Sequence, residues 1–324
     1  GVADVNQDGK DDVFVGGPSG SSGKLFLSSG AGFTEKAGPW SKYRNQEDLG
    51  SCFFDIDGDN DLDLYIATGG NEEPSGSEYH QDRLYINNNG NFIESQLPEI
   101  RTSNSCVKAS DFDADGDLDL FVGGRQTPGE YPHPTSSYIL RNDGGKLTNV
   151  SADVAPGLSN IGMVTDAVWT DYDKDGDDDL VMVGEWMPIT VFLNTEGAFT
   201  DATAALGLTN TTGWWNTIEK GDMDGDGDDD LIAGNLGTNI KYKGSEEEPF
   251  KVYSHDFDAN GTNDIVLSYY QQGKCFPVRG RECSSQQMPF VKNKFPSYHA
   301  FATATVEQIY SEHIDEALML EAKN

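Results

Sequence analysis

The sequence is poor in basic side chains and has no long hydrophobic run. Lys and Arg together number 22 against 55 Asp and Glu, which gives a formal net charge of −33. A surface of this sign repels the phosphates of nucleic acids and the anionic headgroups of membranes, so we expect neither as a partner. No stretch approaches the roughly 18 consecutive apolar residues that a membrane-spanning helix needs, so we expect no membrane insertion.

Cysteine is also scarce. The four cysteines do not have the spacing of a zinc site. Cys275 and Cys283 flank a short turn-like segment and could form a disulfide. Cys52 and Cys106 occupy comparable strands of neighbouring repeats, where they could pair or could be small buried core residues.

The chain has instead six short acidic segments of one design, D-x-[DN]-x-[DN]-G-x-x-D, which we number loops one to six. Positions 1, 3, 5 and 9 are Asp4, Asn6, Asp8 and Asp12; Asp55, Asp57, Asp59 and Asp63; Asp111, Asp113, Asp115 and Asp119; Asp171, Asp173, Asp175 and Asp179; Asp222, Asp224, Asp226 and Asp230; and Asp256, Asp258, Asn260 and Asp264. Position 7 is Lys10, Asp61, Asp117, Asp177, Asp228 and Thr262. Loop two has Asn60 in place of the glycine at position 6, and Asn tolerates the left-handed backbone expected there.

Carboxylates at this spacing repel one another unless a cation lies between them. Ca²⁺ takes six to eight oxygen ligands at flexible geometry, whereas Mg²⁺ prefers a small octahedral shell that keeps several waters. We therefore predict up to six calcium sites, with side-chain oxygens from positions 1, 3, 5 and 9 and a backbone carbonyl from position 7. Loops one and six have fewer Asp ligands and should bind more weakly.

These loops differ from EF-hands, which place Glu at position 12 between two helices. Position 12 is apolar here, as at Ile66 and Val122, and the flanking residues alternate as in strands. The first five loops begin 51 to 60 residues apart, and the sixth begins 34 residues after the fifth. The longer spacing fits a unit of four short strands, predicted at 50–54, 62–68, 83–87 and 91–95 in repeat two, and at 106–110, 118–123, 137–141 and 146–150 in repeat three.

Repetition of such units predicts an all-β fold, a β-propeller with five clear four-stranded blades. Loop six either joins the last strands of blade five or begins a shortened blade six. We assign residues 1–278 to blades and 279–324 to a helical insertion with the possible start of a further blade. Apolar residues from Val306 to Leu318 recur at helical spacing, although 317–321 could instead be a strand.

Loops followed by Leu-x-Leu-Phe-Val-Gly-Gly resemble FG-GAP/VCBS repeats, the calcium-binding blades also found in integrin α-subunits. Longer runs, at 105–107, 129–132, 184–188, 213–216, 235–237, 241–243 and 246–249, are similar to large bacterial VCBS-repeat proteins with an ASPIC/UnbV domain. The resemblance implies seven blades in the complete protein, calcium between strands, and secretion or attachment to the cell surface. We expect this chain to be a piece of such a longer protein, because Gly1 falls only three residues before loop one.

The function that these features favour is a non-enzymatic, extracellular binding or adhesion module whose ligand is a glycan or a surface protein. Candidate ligand contacts are the aromatic side chains Tyr131, Trp186 and Trp214, although blade packing would also use them. The alternatives are a polysaccharide lyase, with His80 or His133 in exposed loops as the base, and a structural scaffold. Neither HExxH, nor G-x-S-x-G, nor a P-loop occurs.

Overall fold

The computed structural model describes residues 1–311 and 313–323. Most of this part forms five antiparallel sheets, numbered along the chain. Sheet one contains β1 (Val2–Ala3), β2 (Asp12–Val15), β3 (Lys24–Ser29) and β4 (Gly32–Lys36). Sheet two contains β5 (Glu47–Phe54), β6 (Asp63–Gly69), β7 (Arg83–Asn88) and β8 (Asn91–Ser95). Sheet three contains β9 (Ser103–Ser110), β10 (Asp119–Gln126), β11 (Tyr138–Asn142) and β12 (Leu147–Asn149).

Sheet four contains β13 (Met163–Thr170), β14 (Asp179–Met187), β15 (Thr190–Thr195) and β16 (Ala198–Asp201). Sheet five contains β19 (Phe250–His255), β20 (Asp264–Gln271), β21 (Lys274–Pro277) and β22 (Leu318–Ala322). Between these two sheets lies a hairpin of β17 (Gly213–Gly221) and β18 (Asp230–Asn235), which extends sheet four through two residue pairs of β14 and β17. The strands predicted for repeats two and three are confirmed to within a few residues at each end.

The helices are short. They are α1 (Ser151–Val154), α2 (Arg281–Gln287), α3 (Phe290–Lys294), α4 (Tyr298–Ala302) and α5 (Val306–Tyr310). Single 3₁₀ turns lie at Pro39–Tyr43, Glu78–His80, Pro156–Leu158, Leu208–Asn210 and Gly237–Asn239. None of the helices in the described part of the chain is long and apolar enough to cross a membrane.

The hydrophobic core is divided into layers between successive sheets. Residues 64–67 of β6 are all fully buried, because Leu64 and Ile66 pack against sheet one while Tyr65 and Ala67 pack against sheet three. The same arrangement repeats between sheets three and four. Side chains also join neighbouring first strands, as where the Ser105 hydroxyl donates to the Val164 carbonyl at 2.7 Å. This succession of sheets is of the β-propeller type and confirms the predicted fold class.

The fifth repeat differs from the others. Strand β18 is followed by the 3₁₀ turn Gly237–Asn239 and an irregular Glu-rich segment, and not by two further strands. Residues 237–249 have no alternating apolar pattern that would favour strands. Loop six therefore begins sheet five instead of completing blade five. The expectation of a four-stranded fifth repeat is wrong in this respect.

The C-terminal helices lie between β21 and β22. Helix α5 buries Val306, Ile309 and Tyr310 and ends at Tyr310. Leu318 belongs to β22, which pairs with β19 and places Leu320 opposite Val252. Helical spacing as far as Leu318 was therefore the wrong interpretation, and the alternative of a strand near 317–321 is confirmed.

All four cysteines are free thiols, so neither of the two possible disulfides is present. Cys106 is buried in the layer between sheets three and four, and this burial raises its thiol pKa to about 12. Cys275 is buried in sheet five, whereas Cys283 is exposed on α2. The turn-like segment between these two includes the first turn of a helix, which the spacing alone did not reveal.

Candidate metal centres and polar cavity

The six acidic loops share one backbone conformation. Positions 4 and 6 both have positive φ in every loop, with φ values from 57° to 100°. Asn60, at position 6 of loop two, has φ 70°, which confirms the left-handed conformation expected there. Position 4 was not anticipated, because Ala114 and Lys174 adopt φ 57° and 64° there without the freedom of glycine. Six loops of different sequence thus adopt the same turn, which directs alternate side chains toward one centre.

Position 1 closes the loop on itself. In loop three, the two carboxylate oxygens of Asp111 accept the backbone N–H groups of Asp115 and Gly116, both at 3.0 Å. Asp171 does the same in loop four. These hydrogen bonds orient the Asp111 and Asp171 carboxylates without the help of a cation.

Position 9 is the most deeply buried ligand. Asp63 and Asp119 are fully buried, and each accepts one N–H from position 2 of its loop and one from the third strand of its sheet. For Asp63 these donors are Ile56 and Asn87, at 2.9 and 2.7 Å. Burial raises the pKa of Asp63 to about 6 and that of Asp119 to about 7. A nearby cation would favour the ionised forms that burial disfavours.

The carboxylates converge as a metal shell requires. Ligand oxygens within each set lie within 4.8 Å of one another for Asp55, Asp57 and Asp63; Asp111, Asp113 and Asp115; Asp171, Asp173 and Asp179; and Asp222, Asp224 and Asp230. Two oxygens bound to one Ca²⁺ can be at most about 5 Å apart. At position 3, Asp113 and Asp258 each have one oxygen that is shielded from solvent and accepts no hydrogen bond. Since such oxygens are costly unless paired, the donor sets fit a hard cation.

Position 7 has a second role that the sequence did not suggest. The side chains of Asp61, Asp117 and Asp177 accept the N–H groups of Asn89, Gly144 and Glu196, at 2.7, 2.8 and 2.9 Å. These donors lie in the turns between the third and fourth strands. Besides the backbone carbonyl predicted as a ligand, position 7 thus provides an anchor for the neighbouring hairpin. The recurrence of Asp at this position was the available signal.

Three buried asparagines connect each sheet to the loop of the sheet before it. Asn87, Asn142 and Asn194 donate their amides to the position 2 carbonyls of loops one, two and three, at 2.9, 2.8 and 2.7 Å. Their carbonyl oxygens accept the N–H of a glycine three residues later. We call these three residues the latch asparagines. The N-x-x-G spacing in three repeats could have revealed them.

The candidate ligand aromatics come together, but mostly inside the protein. The Trp186 indole is 5% exposed, donates to the Tyr131 hydroxyl at 2.7 Å, and lies 5.1 Å from Trp214 between ring centroids. It also stacks on Phe250 at 5.9 Å. The Trp186 faces are therefore occupied by protein neighbours, as in the packing alternative. His80 is also buried rather than exposed, and its burial lowers the imidazole pKa.

An open polar cavity of about 720 Å³ lies beside sheet two, lined by β7, β8 and the segments at 42–46, 78–82 and 96–101. Tyr43, Gln46, Tyr79 and Arg83 are among its lining residues. Arg83 forms a buried ion pair with Asp48 and lies over the Tyr43 ring. Gln46 Oε1 and Arg83 Nε are shielded and have no hydrogen-bond partner. Sequence reasoning missed this cavity, since its lining comes from segments with no shared motif.

Comparison with known proteins agrees with the repeat organisation. A family model described as an FG-GAP-like repeat matches residues 4–66, 111–182 and 171–233. A search of curated proteins found no match. Among solved structures, the V. cholerae biofilm matrix protein Bap1 is similar at 15% identity and a TM-score of 0.35, over 69% of this chain and 35% of that protein. The chain spans about a third of the length of Bap1. The matched repeats cover more than half of the sequence and include the acidic loops, so the chain belongs to the FG-GAP-like repeat family.

Proposed function

We propose that the chain is a non-enzymatic, calcium-stabilised binding module of a secreted or surface protein, and that its ligand is a glycan. The observation that carries the calcium part is the convergence of loop carboxylates on a common centre, with a shielded, unpartnered oxygen at Asp113 and Asp258. A bound Ca²⁺ would be the missing partner of these oxygens and would offset their negative charge.

Calcium in this proposal is structural. The chain's own residues do most of the positioning: position 1 closes the turn, position 9 joins the loop to the third strand, and position 7 anchors the next hairpin. Because binding occurs only when these groups are assembled, binding free energy adds to the free energy of unfolding. Extracellular calcium modules work at roughly 10⁻⁴–10⁻³ M, which suits a secreted or surface protein.

The proposed glycan site is the polar cavity beside sheet two. The aromatic side chain of Tyr79 and the exposed polar side chains of Asn45, Glu78 and Arg101 are among its lining residues. A concave site with a few directed polar groups suits a small polyhydroxylated ligand better than a flat protein surface. The Tyr131, Trp186 and Trp214 cluster is assigned to packing, because Trp186 has no free face.

The calcium part is tested by thermal melts in excess EDTA and in rising Ca²⁺, with bound calcium counted by metal analysis. The expected result is several Ca²⁺ per chain and a melting temperature that rises with calcium, since each site at 100 times its Kd adds about 2.7 kcal/mol. If the melting temperature does not move and no calcium is retained, the loops are only acidic turns.

The ligand part is tested on a glycan array in saturating Ca²⁺. Tyr79→Ala should weaken glycan binding about tenfold, the equivalent of about 1.4 kcal/mol. Tyr298→Ala, which removes an exposed tyrosine outside the cavity, should leave binding unchanged. An array without hits, together with specific capture of a purified surface protein, would replace the glycan by a protein ligand. Cleavage of any bound polysaccharide would contradict the non-enzymatic assignment.

A further inference from the structure

A cluster of two histidines and a glutamate lies at the edge of sheet five, outside the six acidic loops. His255 ends β19, and His313 and Glu316 lie between α5 and β22. One possible ligand atom from each side chain lies within 4.8 Å of the other two. The Glu316 Oε2 atom is 3.7 Å from His255 Nε2 and 3.4 Å from His313 Nδ1.

We propose that these three side chains form a second kind of metal site, selective for a transition metal of the Zn²⁺ class. Imidazole nitrogen is a preferred ligand of Zn²⁺ and its neighbours, whereas Ca²⁺ takes oxygen. Tetrahedral Zn²⁺ with bonds of 2.0–2.2 Å separates its ligand atoms by about 3.4 Å. The two separations from Glu316 are close to that distance, so little rearrangement would bring the three atoms onto one ion.

The surroundings hold the ligands and leave room for a fourth. The His255 ring contacts Phe257 edge-on at 5.4 Å, and the two imidazoles stack at 5.3 Å with their planes 27° apart. His313 lines a cavity of about 470 Å³, so a water or an added ligand has space beside it. The positive charge of Lys294 in that cavity is directed to the Ile309 carbonyl and the Ser311 hydroxyl, at 3.0 and 3.2 Å.

A plain ion pair is a weaker explanation of the cluster. Both imidazoles approach the same carboxylate oxygen, and one protonated histidine would be enough to pair with it. A metal uses both neutral rings and the carboxylate at once. It would also join the segment before β22 to the end of β19, two strands that already pair. The site would thus fasten the C-terminal strand to sheet five.

The test is a Zn²⁺ titration of the whole chain by calorimetry, with Ca²⁺ saturating so that the acidic loops are filled. We expect one Zn²⁺ per chain, and a weakening of roughly 10- to 100-fold in His313→Ala and in Glu316→Gln, since even outer-shell losses have effects of this size. Glu316 is 68% exposed, so Glu316→Gln is expected to fold normally, as a melt in Ca²⁺ would verify. His299→Ala, which removes an exposed histidine of α4, is the matched control and should bind as the unaltered chain does.

Substitution with Co²⁺ gives a second readout, because a four-coordinate site with nitrogen ligands has strong visible absorption that an ion pair lacks. The proposal is overturned if His313→Ala and Glu316→Gln bind Zn²⁺ as tightly as the unaltered chain, or if Co²⁺ gives no such absorption. Both readouts are made with calcium present, so either failure leaves the proposed role of the acidic loops intact.

Discussion

Loops four and five have the same ligand residues but different support. In loop four, Asp179 at position 9 is fully buried and accepts the N–H groups of Tyr172 and Asn194, at 2.8 and 2.7 Å. In loop five, Asp230 is partly exposed and accepts the N–H of Met223 at 2.9 Å. Within the described residues no third-strand N–H reaches Asp230, because β18 is followed by a turn and not by a third strand.

The side chain at position 7 is also held by the rest of the blade in loop four but not in loop five. Asp177 holds the turn between β15 and β16 through the Glu196 N–H. Asp228 instead pairs with Lys174 on loop four, an exposed ion pair. Such surface pairs contribute about 0–1 kcal/mol. The comparison teaches that ligand spacing decides which oxygens can meet, whereas the rest of the blade decides how rigidly they are held.

The largest expected effect is at position 9. Asp179→Asn should lower the free energy of unfolding in Ca²⁺ by about 3 kcal/mol, because it removes a charged acceptor from two buried N–H groups and from the metal shell. Asp230→Asn should lower it by less, since its carboxylate is partly exposed and accepts the N–H of Met223 alone among the described residues. Urea unfolding of both variants measures this difference. Equal losses would mean that the third strand adds nothing to the loop.

A smaller effect is expected at the latch asparagine of sheet four. Asn194→Ala leaves the Phe112 carbonyl and the Gly197 N–H without partners, and should cost about 2 kcal/mol. The same change should weaken calcium binding at loop three, because Phe112 is position 2 of that loop. Asn216→Ala, at an exposed position of β17, should change neither quantity. Metal analysis at limiting Ca²⁺ would detect the missing ion, and a full complement would contradict the proposed coupling.

Loops four and five differ both in the burial of position 9 and in the support of the cation site, so these two factors need a separate test. The smallest expected effect is at a carboxylate that is buried but is not a proposed calcium ligand. Asp82 is buried away from the acidic loops and accepts hydrogen bonds from Thr68, Tyr65 and Asn104. Burial raises its pKa to about 7. The folded state therefore keeps a proton that the unfolded state has lost, so stability falls as pH rises from about 4 to about 7 and then levels off.

Between pH 6 and pH 8 this single group should account for about 1 kcal/mol of lost stability. In Asp82→Asn that part of the slope should disappear, whether calcium is present or absent. Urea unfolding at the two pH values, with and without Ca²⁺, measures it. A slope in Asp82→Asn that matches the unaltered chain would assign the pH dependence to other groups.

Much of the fold was accessible from the sequence, because strand alternation and turn residues are local signals. The hairpin turn at 89–90 has φ 52° and 83°, as the Asn-Gly pair predicts. The left-handed Asn60 was predictable for the same reason. Convergence of the loop carboxylates could also be expected, since they lie within nine residues of one another.

The remaining features depend on residues far apart in the chain. The latch asparagines meet carbonyls 82 or 86 residues away, and the polar cavity is lined by three separate segments of the chain. Trp186 is turned inward where β14 changes register, at a residue with φ 60°. The segment before Leu318 was ambiguous because its apolar residues fit both a helical and a strand pattern. None of these outcomes is encoded within a single window of sequence.

The latch asparagines also imply an order in which the calcium loops are completed during synthesis. Each one belongs to the sheet that is synthesised after the loop it holds, so the loop of sheet one lacks its partner until Asn87 has been made. The same delay of 82 or 86 residues applies to loops two and three. On a ribosome that adds roughly 5–20 residues per second, this delay lasts between about 4 and 17 seconds for each sheet. From the synthesis of loop one until Asn194 has been made, at least one of loops one to three is therefore not yet braced, and this open position moves toward the C-terminus as each new sheet completes the one before it.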